Sequence, residues 1–263
     1  MQEKQKERHS PRVIKTQKEE EIRIFGWHAC QTVIQHRKEA IRKIYLDETR
    51  LEELRPTLAW CAQQKIGYRI LGDTELSKLT DSTHHEGLCL EIQKRPPLSW
   101  NQFIKRVSTT TGPQRLLFID GVANPHNFGA ILRTAAHFGV KAVLHTPDFP
   151  SNLSGTVYRI SEGAADLMDM VCLNRPSTDI RQLQDLAFYL IGTTPHKGEN
   201  LFELQLKEKL VFIIGSEHSG VSPRWKKLAD FHVKIPGTGL VESLNVASSV
   251  AILLSEHWRR FGA

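Results

Sequence analysis

The 263-residue chain is predicted to be an α/β protein: a small α/β domain, then a mostly parallel sheet with helices on both faces. Three observations carry that prediction. Short apolar, β-rich runs recur through residues 115–263. Helix-period segments separate most of them, which is the alternation that parallel crossovers require. Between the halves, residues 94–114 contain Pro96-Pro97, the stretch Ser108-Thr-Thr-Thr-Gly-Pro113 and no acidic side chain, a connector composition.

In chain order, residues 1–21 hold six basic and five acidic side chains and read as a mobile charged arm. Residues 22–93 form the first domain. Strands are expected at 22–25, 43–46, 67–71 and 87–93, and helices over 26–36, 51–64 and 74–79. The connector follows. It carries Lys94, Arg95, Lys105 and Arg106, with Arg115 just beyond. Trp100 and Phe103 are aromatic surfaces that could stack on bases or anchor a short helix. In the second domain, 115–263, strands are expected at 116–119, 142–144, 170–173, 188–191, 210–214 and 232–235.

The net charge of +6 and a pI of about 9.2 favour an anionic partner, and nucleic acid is the commonest one. Lys105 and Arg106, with Arg37 and Lys38 of the first domain, are the expected phosphate contacts. Four cysteines without a C-x-x-C pair argue against a metal site and a disulfide framework. No apolar run approaches the ~20 residues that span a bilayer. The charged N-terminus offers no signal-peptide core, so a reducing cytoplasm is expected.

Parallel sheets bind ligands beyond the carboxyl ends of their strands, and three segments lie there. Residues 119–139 run from a strand through a polar loop into a helix. Asn127 is placed to cap that helix, and Arg133 falls off its apolar stripe. Residues 211–220 run from a buried strand into a turn where Gly215 and Gly220 bracket Glu217. Gly215 would let a ligand approach the backbone. Neither a G-x-S-x-G elbow nor an H-E-x-x-H is present there. Residues 233–251 carry a glycine loop, Gly237-Thr-Gly239, and a helix opening near Ser243, with Asn245 in its first turn. Glu242 breaks the dinucleotide fingerprint.

Together, Asn124-Pro-His-Asn-Phe-Gly-Ala-Ile-Leu-Arg-Thr-Ala135, Ile214-Gly-Ser-Glu-His-Ser-Gly220 and Ile235-Pro-Gly-Thr-Gly-Leu-Val-Glu-Ser-Leu-Asn-Val246 resemble the three motifs of the SpoU (TrmH) family of RNA ribose 2′-O-methyltransferases. Residues 25–29 and 86–90 resemble the L30e-like substrate-binding domain that often precedes them. The resemblance implies a deep trefoil knot, a homodimer and S-adenosyl-L-methionine as methyl donor. It assigns Asn127, Arg133, Glu217, Ser243 and Asn245 to the catalytic set. It places the donor among Thr193, Gly215, Gly220, Ile235, Gly239 and Leu244. Arg133 is expected to grip substrate phosphate and stabilise the developing alkoxide, because a guanidinium stays protonated and makes a poor base. Structured RNA, ribosomal ahead of transfer RNA, is the expected substrate, and no metal is required. The chain departs from the pattern at Gly237, where the family usually has methionine, and at Ala247. That keeps open a second reading, a non-catalytic RNA-binding paralogue in ribosome or RNA assembly. The division of labour also predicts that a fragment beginning near Gly112 binds the donor on its own.

Overall fold

A computed structural model of the chain describes residues 20–149 and 153–262. The charged arm expected over residues 1–21 lies outside the described residues through position 19. Its last residue, Glu21, instead opens the first strand.

The first unit contains β1 (Glu21–Phe25), α1 (Trp27–His36), β2 (Ile41–Leu46), α2 (Leu51–Gln63), β3 (Gly67–Ile70), α3 (Asp73–Thr80) and β4 (Leu88–Gln93). Its four strands run in the order β1-β4-β2-β3, with β2 and β3 parallel and the other pairs antiparallel. Ile24, Ile44, Leu46, Leu88, Leu90 and Ile92 are fully buried and form the sheet's side of the core.

After α4 (Trp100–Thr109), the second unit continues with β5 (Gln114–Asp120), α5 (Pro125–His137), β6 (Ala142–His145), α6 (Gly155–Ile160), α7 (Ala164–Leu167), β7 (Asp169–Cys172), α8 (Pro176–Asp185) and β8 (Tyr189–Thr193). It ends with β9 (Glu199–Asn200), β10 (Lys209–Gly215), α9 (Pro223–Leu228), β11 (Phe231–Lys234) and α10 (Val246–Phe261). The strand order is β7-β6-β5-β10-β8-β11-β9, and every pairing is parallel. The two-residue β9 has no apolar run to announce it.

Alternation along the central strands explains the covering layers. Leu116, Phe118, Val211 and Ile213 point to one face, where Trp100, Phe103 and Val107 of α4, Ile180 and Leu183 of α8 and Trp225 of α9 pack. Leu117, Ile119, Leu210, Phe212 and Ile214 point to the other, against Phe128, Ile131, Leu132 and Ala135 of α5 and Val250, Leu253 and Leu254 of α10. Each such side chain contributes roughly 1.5–3 kcal/mol of apolar burial.

Of the two roles expected for the connector's aromatics, the structure shows the second, a short anchoring helix. Ser99 caps α4, its hydroxyl accepting from Gln102 N–H, and the buried stripe of Trp100, Phe103 and Val107 seats the helix in the second core. Trp100 and Phe103 are 5% and 1% exposed, so neither can stack on a base. A fragment starting near Gly112 would lose this helix and open that core.

The two units meet at α6 and α7. Arg37 grips Asp166 through two charge-assisted hydrogen bonds of 2.9 and 2.6 Å, and Tyr158 Oη donates to the same carboxylate at 3.1 Å. Asp166 is almost wholly buried, so this pairing is what its charge requires. Burial opposes the Arg37 charge, but the hydrogen bond and charge of Asp166 outweigh it and raise the guanidinium pKa. Arg95 and Arg106 both bind the buried Asp169. Of the expected RNA contacts, Arg37 pairs with the buried Asp166 across the junction, and Arg106, half-exposed on α4, pairs with Asp169 of β7 inside the second unit. Lys38 lies 4.5 Å over the Trp60 ring, while Lys105 stands on the exposed side of α4.

Candidate active site

The carboxyl ends of β5, β8, β10 and β11 converge because the strands are parallel neighbours. Two helix starts fall differently from the sequence expectation. Asn124, rather than Asn127, caps α5, its side chain accepting from His126 and Asn127 N–H with Pro125 in the first turn. Asn245, rather than Ser243, caps α10, accepting from Ala247 and Ser248 N–H. The first shift matters chemically. Relieved of capping, the Asn127 side chain is available for contacts outside its own helix.

It makes two. Asn127 Nδ2 donates to Glu217 Oε1 at 2.5 Å, and Asn127 Oδ1 accepts from Asn245 Nδ2 at 3.0 Å. One amide thus joins the first turn of α5, the turn after β10 and the start of α10. The Glu217 carboxylate is exposed and keeps acceptor capacity for a substrate hydroxyl or a further donor.

The turn that carries Glu217 is closed by its own backbone and serines. Gly220 N–H donates to Ser216 O at 3.0 Å, and the Ser216 and Ser219 hydroxyls lie 2.6 Å apart. Gly215 is required here for a reason other than the ligand approach expected. A Cβ on it would fall 2.0 Å from the Gly220 carbonyl carbon, so the returning chain occupies that space. Asp120 is a site-shaping residue that the sequence reading passed over. Its carboxylate accepts from Ser222 N–H at 2.7 Å and fixes the far end of the turn to β5. An Asp directly after an apolar strand was its only signal.

Around the donor loops, Thr193 Oγ1 donates to Ile213 O at 2.9 Å, so its hydroxyl proton is committed to the sheet. His196 and Glu242 approach to 3.7 Å, bringing the loop after β8 against the loop after β11. Ile235 is half-buried where β11 ends. Gly239 has φ +81°, and a Cβ at Gly237 would meet open space. Leu240, Val241 and Leu244 are 89%, 71% and 46% exposed, an apolar surface beside open backbone. Such a surface suits a flat heterocycle read by backbone groups. Ser243 stands exposed on the same loop.

Arg133 lies apart. It is six residues beyond Asn127 on α5, about 9 Å along the axis. Its Nη1 pairs with Glu162 Oε1 at 2.9 Å, at the turn between α6 and α7. Of the five expected catalytic residues, Asn127, Glu217 and Asn245 form one hydrogen-bonded group. Arg133 and Ser243 flank it without touching it. Among the described residues, no group of three or more His, Cys, Asp or Glu side chains is placed to hold a metal, and no helix is long and apolar enough to cross a membrane.

Comparison with known proteins agrees with this geometry. Residues 114–255 match the model of the SpoU rRNA Methylase family, and residues 23–98 match that of RNA 2′-O ribose methyltransferase substrate binding. The chain is 31% identical over 250 residues to the uncharacterized tRNA/rRNA methyltransferase YfiF of Escherichia coli O157:H7, covering 95% of this chain and 71% of that protein. It is 31% identical over 245 residues to the 23S rRNA (guanosine-2′-O-)-methyltransferase RlmB of Nitrosomonas europaea, covering 90% and 91%. The crystal structure of the SpoU methyltransferase AviRb from Streptomyces viridochromogenes in complex with AdoMet superposes with a TM-score of 0.72. That match has 20% identity and covers 91% of this chain and 90% of that one. The fold is accordingly that of the trefoil-knotted α/β methyltransferases.

Proposed function

The chain belongs to the SpoU rRNA methylase family, and from that premise we propose that it methylates a ribose 2′-hydroxyl of ribosomal RNA. It is an S-adenosylmethionine-dependent RNA ribose 2′-O-methyltransferase. The choice of ribosomal over transfer RNA rests on the RlmB relatives, which act on 23S rRNA by name. A cytoplasmic location and a homodimer belong to the same proposal. Sedimentation at micromolar concentration measures the second.

The observation that carries the site assignment is the Asn127 bridge between Glu217 and Asn245. It holds the three segments in one register, so that a hydroxyl delivered to Glu217 meets a donor bound on the apolar loop. The donor's sulfonium would supply the methyl group, with the neutral thioether leaving as the methyl–sulfur bond breaks, so positioning does most of the catalysis. Glu217 accepts a hydrogen bond from the 2′-hydroxyl and orients the oxygen, and the proton passes to a substrate phosphate oxygen or water as the O–C bond forms. Arg133 holds the adjoining phosphate and stabilises the alkoxide as it develops. Asn245 and Ser243 brace the donor loop. The exposed Leu240, Val241 and Leu244, with the backbone near Gly239 and Gly220, would hold the adenine of the donor.

Methylation of ribosomal and transfer RNA from cells lacking this gene, followed by mapping of 2′-O-methyl positions, tests the proposal. The expected result is one modified ribose in ribosomal RNA. Modification of transfer RNA alone would overturn the substrate choice. Absence of S-adenosylmethionine binding by calorimetry would favour the non-catalytic RNA-binding reading.

A further inference from the structure

Arg133 is held from outside the three active-site segments. Its partner Glu162 has φ +49°, a left-handed conformation that a residue with a Cβ adopts only when its surroundings impose it. The surroundings come from both units. Glu162 N–H donates to Arg159 O at 3.0 Å, and Gly163 N–H donates to Tyr158 O at 2.9 Å, closing the turn after α6. From α1 of the first unit, the Thr32 hydroxyl shares its proton between the Glu162 carbonyl at 3.1 Å and the His28 carbonyl of its own helix at 3.0 Å. Thr32 also presses on the following residue, where a Cβ added to Gly163 would fall 2.4 Å from the Thr32 Cβ. The backbone that carries the carboxylate facing Arg133 is therefore held in part by the substrate-binding unit.

We propose that Glu162 is a positioning residue for Arg133, and that Thr32 fixes Glu162, so that docking of the first unit sets where the guanidinium points. The inference rests on Arg133 acting in methyl transfer. A guanidinium offers five N–H donors in a rigid plane. The contact with Glu162 runs through Nη1, leaving the Nε and Nη2 edge for a substrate phosphate or alkoxide. Without that anchor the arginine must be ordered during each turnover, which raises the barrier to reaction. The two side chains are 58% and 40% exposed, so the pair adds little to folding stability. An effect on rate is therefore separable from an effect on folding.

The test is a double-mutant cycle read by single-turnover methylation at saturating RNA, with RNA affinity, donor affinity and melting temperature measured alongside. Glu162→Ala should slow methyl transfer about tenfold while leaving both affinities and the melting temperature unchanged. Glu162→Gln keeps an acceptor and should recover part of the rate. Thr32→Val should give a smaller loss that disappears in the Glu162→Ala background. In the Arg133→Ala background, Glu162→Ala should have no further effect. A Glu162→Ala enzyme at or above the wild-type rate overturns the proposal. So does a loss that persists after Arg133 is removed. A near-normal rate for Arg133→Ala itself overturns the active-site reading, and the positioning role falls with it.

Discussion

Asn127 spends both ends of one amide on different segments, donating to Glu217 and accepting from Asn245. Asn127→Asp replaces the donor by a second carboxylate facing Glu217, so the two repel and the segments separate. Single-turnover methylation should fall about 100-fold, the scale on which preorganised groups act, with little change in melting temperature because the group is not in the core. Arg133→Ala should cost at least ~100-fold in the same assay, and Arg133→Lys should recover little, because an ammonium lacks the planar fork. A near-normal rate in the alanine variant would return Arg133 to the role of a solvated helix residue, and full recovery in the lysine variant would mean that charge alone, without the planar fork, suffices. The motif positions were legible in the sequence because polar residues stood where strands run into turns. Which asparagine caps which helix was not. Asn124 and Asn127 both fit a cap by type, and only the backbone geometry chooses between them.

At the scale of elements, α4 divides its faces. Its apolar stripe is the anchor that the aromatics allowed, while Lys105 and the half-exposed Arg106, paired with Asp169, stand on its outer side. Trp100→Ala should therefore destabilise the protein by about 3–5 kcal/mol in denaturant unfolding. Lys105→Ala should leave stability alone and lower the slope of log RNA affinity against log salt by about 1. An unchanged slope would remove α4 from the RNA footprint. Helix α10 carries a pH dependence. Burial, followed by the charge of Arg115, pushes His257 down to about 4 from 6.5. Its imidazole is therefore neutral in the folded protein where the unfolded chain would already be protonated. This contribution to stability is complete above pH 6.5 and is lost as pH falls from about 6.5 to about 4. His257→Gln should flatten the dependence of melting temperature on pH across that window. The strands and most helices were readable from periodicity, but β9 was not, since two polar residues joined to β11 have no period to detect.

On the scale of the whole molecule, the junction between the two units depends on charge buried at α6 and α7. Arg37→Ala would leave the Asp166 carboxylate bonded to Tyr158 alone, with Arg95 reaching only its backbone carbonyl, and should cost about 3 kcal/mol. The substrate-binding unit should then release before the knotted unit melts, giving two calorimetric transitions where wild type gives one. A single transition would mean that the apolar contacts alone hold the units together. For the second unit to stand by itself, a fragment must begin near Leu98, which bridges to Val171 and leads into α4. The fragment from residue 112 should aggregate. No composition signal could place that boundary, because the connector's buried stripe is a property of its helix and not of its charge.

The order of strands has a consequence for synthesis. Strand β5 pairs along its full length with β10, yet residues 121–208 lie between them. A nascent chain emerging from the ribosome presents β5 with one flank bare until β10 has been made, and α10 must follow before the layer over Leu117 and Ile119 is complete. The first unit has all of its strands by residue 93 and can fold while translation continues. Translation thus delivers a finished RNA-binding head ahead of an unfinished catalytic body, and the latter remains open to wrong strand partners until its last helix leaves the exit tunnel.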